Sequence, residues 1–258
     1  MPAPAPYTAL TPARLLDTRP SGETVDDLFD KGGTVAANTF LTLDVSGRGG
    51  VANDAVAVVL NVTAVNPASN GFLTVYPCDA SRPNASNLNF RAGVNIANLV
   101  IMRPSASGEV CLHTSQTTHL IVDAAGYMPV ETSYTPLVPG RLLDTRGTGE
   151  TVDDIWEKSG RKFGNSTISL YVGDRGGLSD DGGAVVLNVT AVGPGTPGFI
   201  TVYACDVSRP NASNLNYILG VTIPNLVIVE PSADGHVCLY TSGEADLIVD
   251  VLGSFEPV

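Results

Sequence analysis

The stretch VVLNVTAV, residues 58–65, returns letter for letter at residues 185–192. Four of its eight residues are valine and one is threonine. Branching at Cβ restricts such side chains in a helix and lets them pack well on a pleated surface, so the stretch favours an extended backbone. In the slightly wider run from Val56 to Val65, apolar side chains fall on both faces, with Asn61 and Thr63 the exceptions. That pattern reads as a central strand covered on both sides.

Similar runs lie outward from it: Leu15 to Asp17, Thr39 to Val45, Phe72 to Tyr76, Ser86 to Phe90, Ile96 to Met102, Val110 to His113 and His119 to Asp123. Each is bounded by Gly, Pro, Asn or Ser turn signals. Many short strands between frequent turns predict an all-β fold, a sandwich of jelly-roll or immunoglobulin-like type. A single short helical turn is expected around Val25 to Lys31, where Asp26 and Asp27 would suit a helix start.

The repeat extends over nearly the whole chain. RLLDTR at Arg14 to Arg19 returns at Arg141 to Arg146, an offset of 127 (141 − 14), and no insertion interrupts that offset. It also relates ETVDD (Glu23 and Glu150), SRPNASNLN (Ser81 and Ser208), NLVI (Asn98 and Asn225) and LIVD (Leu120 and Leu247). The 258 residues therefore read as two tandem β-sandwich domains, residues 7–130 and 134–258, joined by a short linker near Glu131 to Ser133. The opening Met-Pro-Ala-Pro-Ala-Pro, residues 1–6, reads as a linker stub, as if a signal or preceding domain had been removed.

Composition narrows the function classes. A net charge of −12 opposes attraction to nucleic acid or anionic lipid, whose affinity comes from basic residues. No run reaches the roughly 18 apolar residues that span a bilayer, so no membrane insertion is expected. Of 14 basic residues only Lys31, Lys158 and Lys162 are lysines. The positive charge is thus almost all guanidinium, which suits fixed pairing with carboxylates.

Cys78 and Cys111 stand 33 residues apart (111 − 78), and Cys205 and Cys238 repeat the spacing (238 − 205). Each lies in or at the end of an expected strand and no CxxC occurs, so one disulfide per domain and an oxidising, extracellular compartment are expected.

Catalytic chemistry finds little support. His113, His119 and His236 align with Tyr240, Asp246 and Glu109, so no histidine is shared by the two copies. A histidine triad or zinc site common to both domains is excluded, and no motif implies a cofactor. The Gly-rich SGRGG at Ser46 and GDRGG at Gly173 lack the lysine and following helix of a phosphate cradle and read as turns. Duplicated acids leave two readings, structural ion pairs or a hard-cation site. The candidate calcium ligands are Glu23, Asp26 and Asp27 with their counterparts Glu150, Asp153 and Asp154.

The segment RPNASNLN is the least ordinary part of the repeat, because asparagine is disfavoured in strands. Arg82, Asn84, Asn87 and Asn89, with Arg209, Asn211, Asn214 and Asn216, are the candidate ligand-binding residues. An amide both donates and accepts, which suits sugar hydroxyls, and Tyr76 and Phe90 (Tyr203 and Tyr217) would offer an apolar face beside it. The competing reading holds those amides inside the fold, pairing loop backbones.

Taken together, RLLDTR, NVTAV, GF(L/I)TVY(P/A)C, RPNASNLN, NLVIV, VCLYT and LIVDVxGxF resemble a module repeated in secreted proteins of actinobacteria. The resemblance covers nearly all of both copies. It implies secretion and an accessory role beside extracellular enzymes and surface proteins, and it transfers no ligand or catalytic residue. The expectation is a non-catalytic secreted module that binds carbohydrate or cell-wall glycan. A structural surface protein or adhesin, self-assembling or contacting other surface proteins, is the alternative, and a carboxylate-dependent glycoside hydrolase stands third.

Overall fold

Residues 58–65 do form a central strand. In the computed structural model, β3 (Ala57–Val65) lies between β8 (His119–Met128) and β6 (Ile96–Met102). Residues 7–130, 133–179 and 183–256 are described; the stub at 1–6 and the linker residues 131 and 132 lie outside them. The chain divides into two compact units, Met1–Val138 and Pro139–Val258.

The remaining strands of the first unit are β1 (Thr8–Asp17), β2 (Thr39–Asp44), β4 (Gly71–Pro77), β5 (Leu88–Phe90) and β7 (Glu109–Thr114). They form two four-stranded sheets, ordered β1-β8-β3-β6 and β2-β7-β4-β5. All the pairings are antiparallel. The plan repeats with β9 (Tyr134–Asp144), which begins within the bounds of the first unit and continues into the second, and with β10 (Ser166–Tyr171), β11 (Val185–Val192), β12 (Gly198–Ala204), β13 (Leu215–Tyr217), β14 (Ile223–Val229), β15 (His236–Thr241) and β16 (Asp246–Phe255). Its sheets run β9-β16-β11-β14 and β10-β15-β12-β13. Eight strands dealt between two sheets in this order are a jelly roll, which decides between the two sandwich types expected from sequence.

Period-two alternation builds the core. Val58, Leu60, Val62 and Ala64 of β3 face Leu73 and Val75 of β4, Val110 and Leu112 of β7, and Leu88 and Phe90 of β5 in one cluster, nearly all fully buried. Leu142, Leu187, Val189, Ile200, Leu215, Leu239 and Val249 are the corresponding buried residues of the second unit. The disulfides Cys78–Cys111 and Cys205–Cys238 form as expected, with Cα atoms 5.0 Å apart in both.

The duplicated charges of RLLDTR are consumed by the fold. Asp17 is fully buried and accepts from Arg19 at 2.6 and 2.8 Å and from Arg14 at 3.3 Å, while Arg14 also grips Asp123 across the sheet at 2.8 Å. Arg141, Asp144, Arg146 and Asp250 repeat the network. It ties the first strand of each domain to the last.

The helical turn expected at Val25 to Lys31 does not form. Asp27, Phe29 and Lys31 take positive φ in alternation, as do Asp154, Trp156 and Lys158, and a helix cannot accommodate that. Two forces hold the segment open. Asp17 bonds its backbone to Phe29 O and Lys31 N, and both oxygens of Asp26 are drawn to Arg48 at 2.7 and 2.8 Å. Arg48 is aimed inward by the SGRGG turn. At Gly49, with φ of +57°, a Cβ would come within 2.8 Å of both Ala13 and Leu15, so only glycine lets the turn seat against β1.

Candidate functional site

Because side chains alternate along a strand, the residues that β2, β7, β4 and β5 turn away from the core form one outer face. In the first domain, register places Phe40 opposite His113, Thr42 opposite Cys111, Thr74 opposite His113, Tyr76 opposite Cys111 and Phe72 opposite Asn89. Phe72 and His113 lie with ring centroids 6.2 Å apart. In the second domain Phe199 and Tyr240 take these places with centroids 5.9 Å apart, and Asn216 stands opposite Phe199. A half-buried phenylalanine, a second ring beside it and a fixed amide are thus present in both domains.

The candidate ligand-binding residues of RPNASNLN divide between this face and the interior. Asn87 is only 2 % exposed; its Oδ1 accepts from the Val75 N–H at 2.7 Å and its backbone carbonyl accepts from Asn98 Nδ2 at 2.7 Å. Asn214 repeats both bonds with Val202 and Asn225. These amides close the edge of β4 or β12 where the short strand beside it ends, so the structure turns Asn87 and Asn214 inward, to the fold. Asn89 and Asn216 sit on the outer face, each donating from Nδ2 to a serine, Ser86 or Ser213, at 3.2 Å. That bond orients the amide, and its carbonyl oxygen has no partner among the described residues. Asn84 and Asn211 are exposed on the loop before it.

Arg82 and Arg209 lie over the same face. The Arg209 guanidinium carbon is 3.7 Å from the Tyr240 ring centroid, and the Tyr240 hydroxyl is held by Asn165 Oδ1 at 2.7 Å. Arg82 acts on the buried His113, whose pKa is lowered first by burial and then by the Arg82 charge, so the imidazole is neutral. His113 Nδ1 has no hydrogen-bond partner among the described residues.

The expectation that Phe90 and Tyr217 offer the apolar surface is overturned. Both point into the core, and Tyr217 bonds to Thr241 Oγ1 at 2.7 Å. Tyr76 is outward but covered, with 6 % exposure. Phe72 and Phe199, each half-buried, are the outward rings instead. Sequence carried the signal in GFLTVY, where Phe72 is out of phase with the core residues Leu73 and Val75, but only the register revealed which parity faces solvent.

The acidic loop is differently placed. Asp26 and Asp153 are engaged by Arg48 and Arg175, hydrogen bonds that hold both carboxyls below the usual carboxylate range. Glu23, Asp27, Glu150 and Asp154 are exposed, and Lys31 or Lys158 answers their charge, each ammonium raised chiefly by its neighbour Asp30 or Glu157 and then by these acids. Among the described residues no group of three or more His, Cys, Asp or Glu converges as a metal cluster.

No protein-family model matches the chain, and no curated protein does. Among solved structures it is similar to the N-terminal CBM22-1-CBM22-2 tandem domain of Paenibacillus barcinonensis Xyn10C. The identity is 10% and the TM-score 0.24, over 96% of this chain and 99% of that one. A likeness of that degree carries no argument about ligand. The two jelly rolls are established by the strand order of this chain itself.

Proposed function

We propose that each domain is a non-catalytic polysaccharide-binding module whose site is the outer face of the β2-β7-β4-β5 sheet and of its counterpart β10-β15-β12-β13. One observation carries this reading: the same half-buried outward ring, second ring and tethered amide (Phe72, His113 and Asn89; Phe199, Tyr240 and Asn216) occupy the same register positions in both domains. A sugar presents an apolar C–H face and a rim of hydroxyls. A flat ring takes the first and an oriented carbonyl oxygen takes the second. Two such sites on one chain would add avidity for a repeating polymer wherever both reach it.

Acid–base hydrolysis is the poorer reading. A glycosidic general acid needs a carboxyl with a raised pKa, whereas Asp17, Asp26, Asp79, Asp153 and Asp234 are lowered. Secretion is part of the proposal, since disulfides persist where thiols are not kept reduced. No helix among the described residues is long and apolar enough to cross a membrane.

The test is retention of the full chain in gels cast with a panel of neutral and charged polysaccharides, run with calcium and with a chelator. Wild type should be retarded by at least one polymer, and Phe72→Ala/Phe199→Ala should lose about tenfold in affinity, the loss of roughly 1.4 kcal/mol at an aromatic anchor. No retardation by any polymer sinks the reading.

One feature favours a protein-contact role beside it. The acidic loops expose Val25 (53%) and Leu28 (52%) in the first domain and Val152 (53%), Ile155 (52%) and Trp156 (37%) in the second, so both copies keep an apolar tip in solvent. Concentration-dependent scattering abolished by Leu28→Ser/Ile155→Ser would establish that role.

A further inference from the structure

The arginines of this chain are almost all spoken for. Of eleven (14 basic residues less three lysines), eight form ion pairs: Arg14, Arg19, Arg48, Arg103, Arg141, Arg146, Arg161 and Arg175. Among the described residues Arg82, Arg91 and Arg209 have no carboxylate partner. Arg91 aligns with Ile218 and is not shared by the copies, whereas Arg82 and Arg209 are equivalent (209 − 82 = 127). The two equivalent guanidiniums without a carboxylate partner among the described residues are therefore Arg209, over the Tyr240 ring, and Arg82, whose charge acts on Tyr76 and His113 of the same face. In a protein carrying 26 acidic residues, that is where an unpaired cation is least expected without a ligand to meet it.

Resting on the polysaccharide reading above, we propose that the ligand is an acidic one, a polymer of carboxylate-bearing sugars, and that Arg82 and Arg209 bind its carboxylates. The geometry favours planar, bidentate capture. The Arg209 guanidinium carbon lies over the Tyr240 ring, 3.7 Å from its centroid, and Arg209 is exposed and has no carboxylate partner among the described residues, so its N–H donors remain for two carboxylate oxygens. Phe199, with its ring 5.9 Å from Tyr240, lies beside that cation and would carry the sugar ring. In the first domain Arg82 is the cation of the patch, because His113 is held neutral by burial and by Arg82 itself.

Acids on the same face lie at its far end. Asp44 and Glu109 pair in register four residues along from Phe40 and His113, roughly 13 Å away at strand spacing, and Tyr171 and His236 replace them in the second domain. The opposing force is the net charge of −12, which repels a polyanion at long range. Screening with a Debye length of about 8 Å at 0.15 M salt confines that repulsion, while the desolvated contact at the guanidinium survives. Raising salt from low values should accordingly help association before it weakens the ion pair.

The test compares polygalacturonate with the same polymer after carboxyl reduction, at about 0.15 M salt, using the full chain. Wild type should bind the carboxylated polymer at least about tenfold more tightly than the reduced one. Arg82→Gln/Arg209→Gln, exposed positions whose change should leave the melting temperature in place, should remove that preference. Equal binding to the reduced polymer overturns carboxylate recognition and leaves the polysaccharide reading intact. Equal binding of dextran sulfate would likewise overturn it, showing an unselective anion contact. Binding to no polymer, neutral or acidic, removes both.

Discussion

Replacing Asn87 by alanine separates stability from recognition within one segment. The side-chain Oδ1 of Asn87 is the acceptor for the N–H of Val75, at 2.7 Å, and both residues are buried, Val75 completely. Alanine would leave that donor unpaired in the interior, a cost of about 1–3 kcal/mol, and remove heavy atoms from a packed site. The second bond, from Asn98 to the Asn87 carbonyl, is to backbone and survives. A net loss of about 2 kcal/mol should lower the melting temperature of the first domain by roughly 8 °C for a domain of this size. Two residues on, Asn89 is partly exposed and bonds only Ser86, so Asn89→Ala should stay within about 0.5 kcal/mol, some 2 °C. Differential scanning calorimetry of the full chain resolves the first effect, and gel retardation the second. Asn89→Ala should weaken polysaccharide binding, and Asn87→Ala should not, below its melting range. If instead Asn87→Ala melts within about 2 °C of wild type and loses binding, the division of the segment into fold and site is wrong.

Two other outcomes follow from the ion pairs and the disulfides. Asp26 and Asp153 have folded-state pKa values depressed by Arg48 and Arg175, so between those values and the unfolded value of about 3.9 the unfolded chain binds more protons. Their stabilisation is complete above about pH 5 and lost as pH falls through the folded values. Arg48→Gln/Arg175→Gln should flatten that acid limb in urea titrations from pH 6 to pH 2, and an unchanged limb would show that other carboxyls govern it. Each disulfide closes a loop of 33 residues, which in the chain-entropy model stabilises its domain by about 3–4 kcal/mol. Reduction without denaturant should therefore lower the melting temperature by roughly 10 °C or more, and a shift under about 3 °C would show that the sheets hold without the crosslinks.

The duplication, the strand character of VVLNVTAV, the disulfide spacing and the turn role of SGRGG were legible in the sequence because each rests on local chemistry: Cβ branching, period and offset, or a glycine tolerant of positive φ. Three features were not. The acidic segment at Val25 to Lys31 carries the charges of a helix start, yet its conformation is set by Asp17 and Arg48, which are remote in sequence. RPNASNLN looks uniform as a string, but Asn87 and Asn89 part company because one meets the open edge of β4 and the other the outer face. The same pleat sends Phe90 inward and Phe72 outward, two aromatics that sequence could not rank. Sequence by itself determined two copies of an all-β domain, each crosslinked once and free of shared histidine chemistry. Only the tertiary structure decided which polar residues remain available for a ligand, because availability depends on which distant group already satisfies each hydrogen bond and charge.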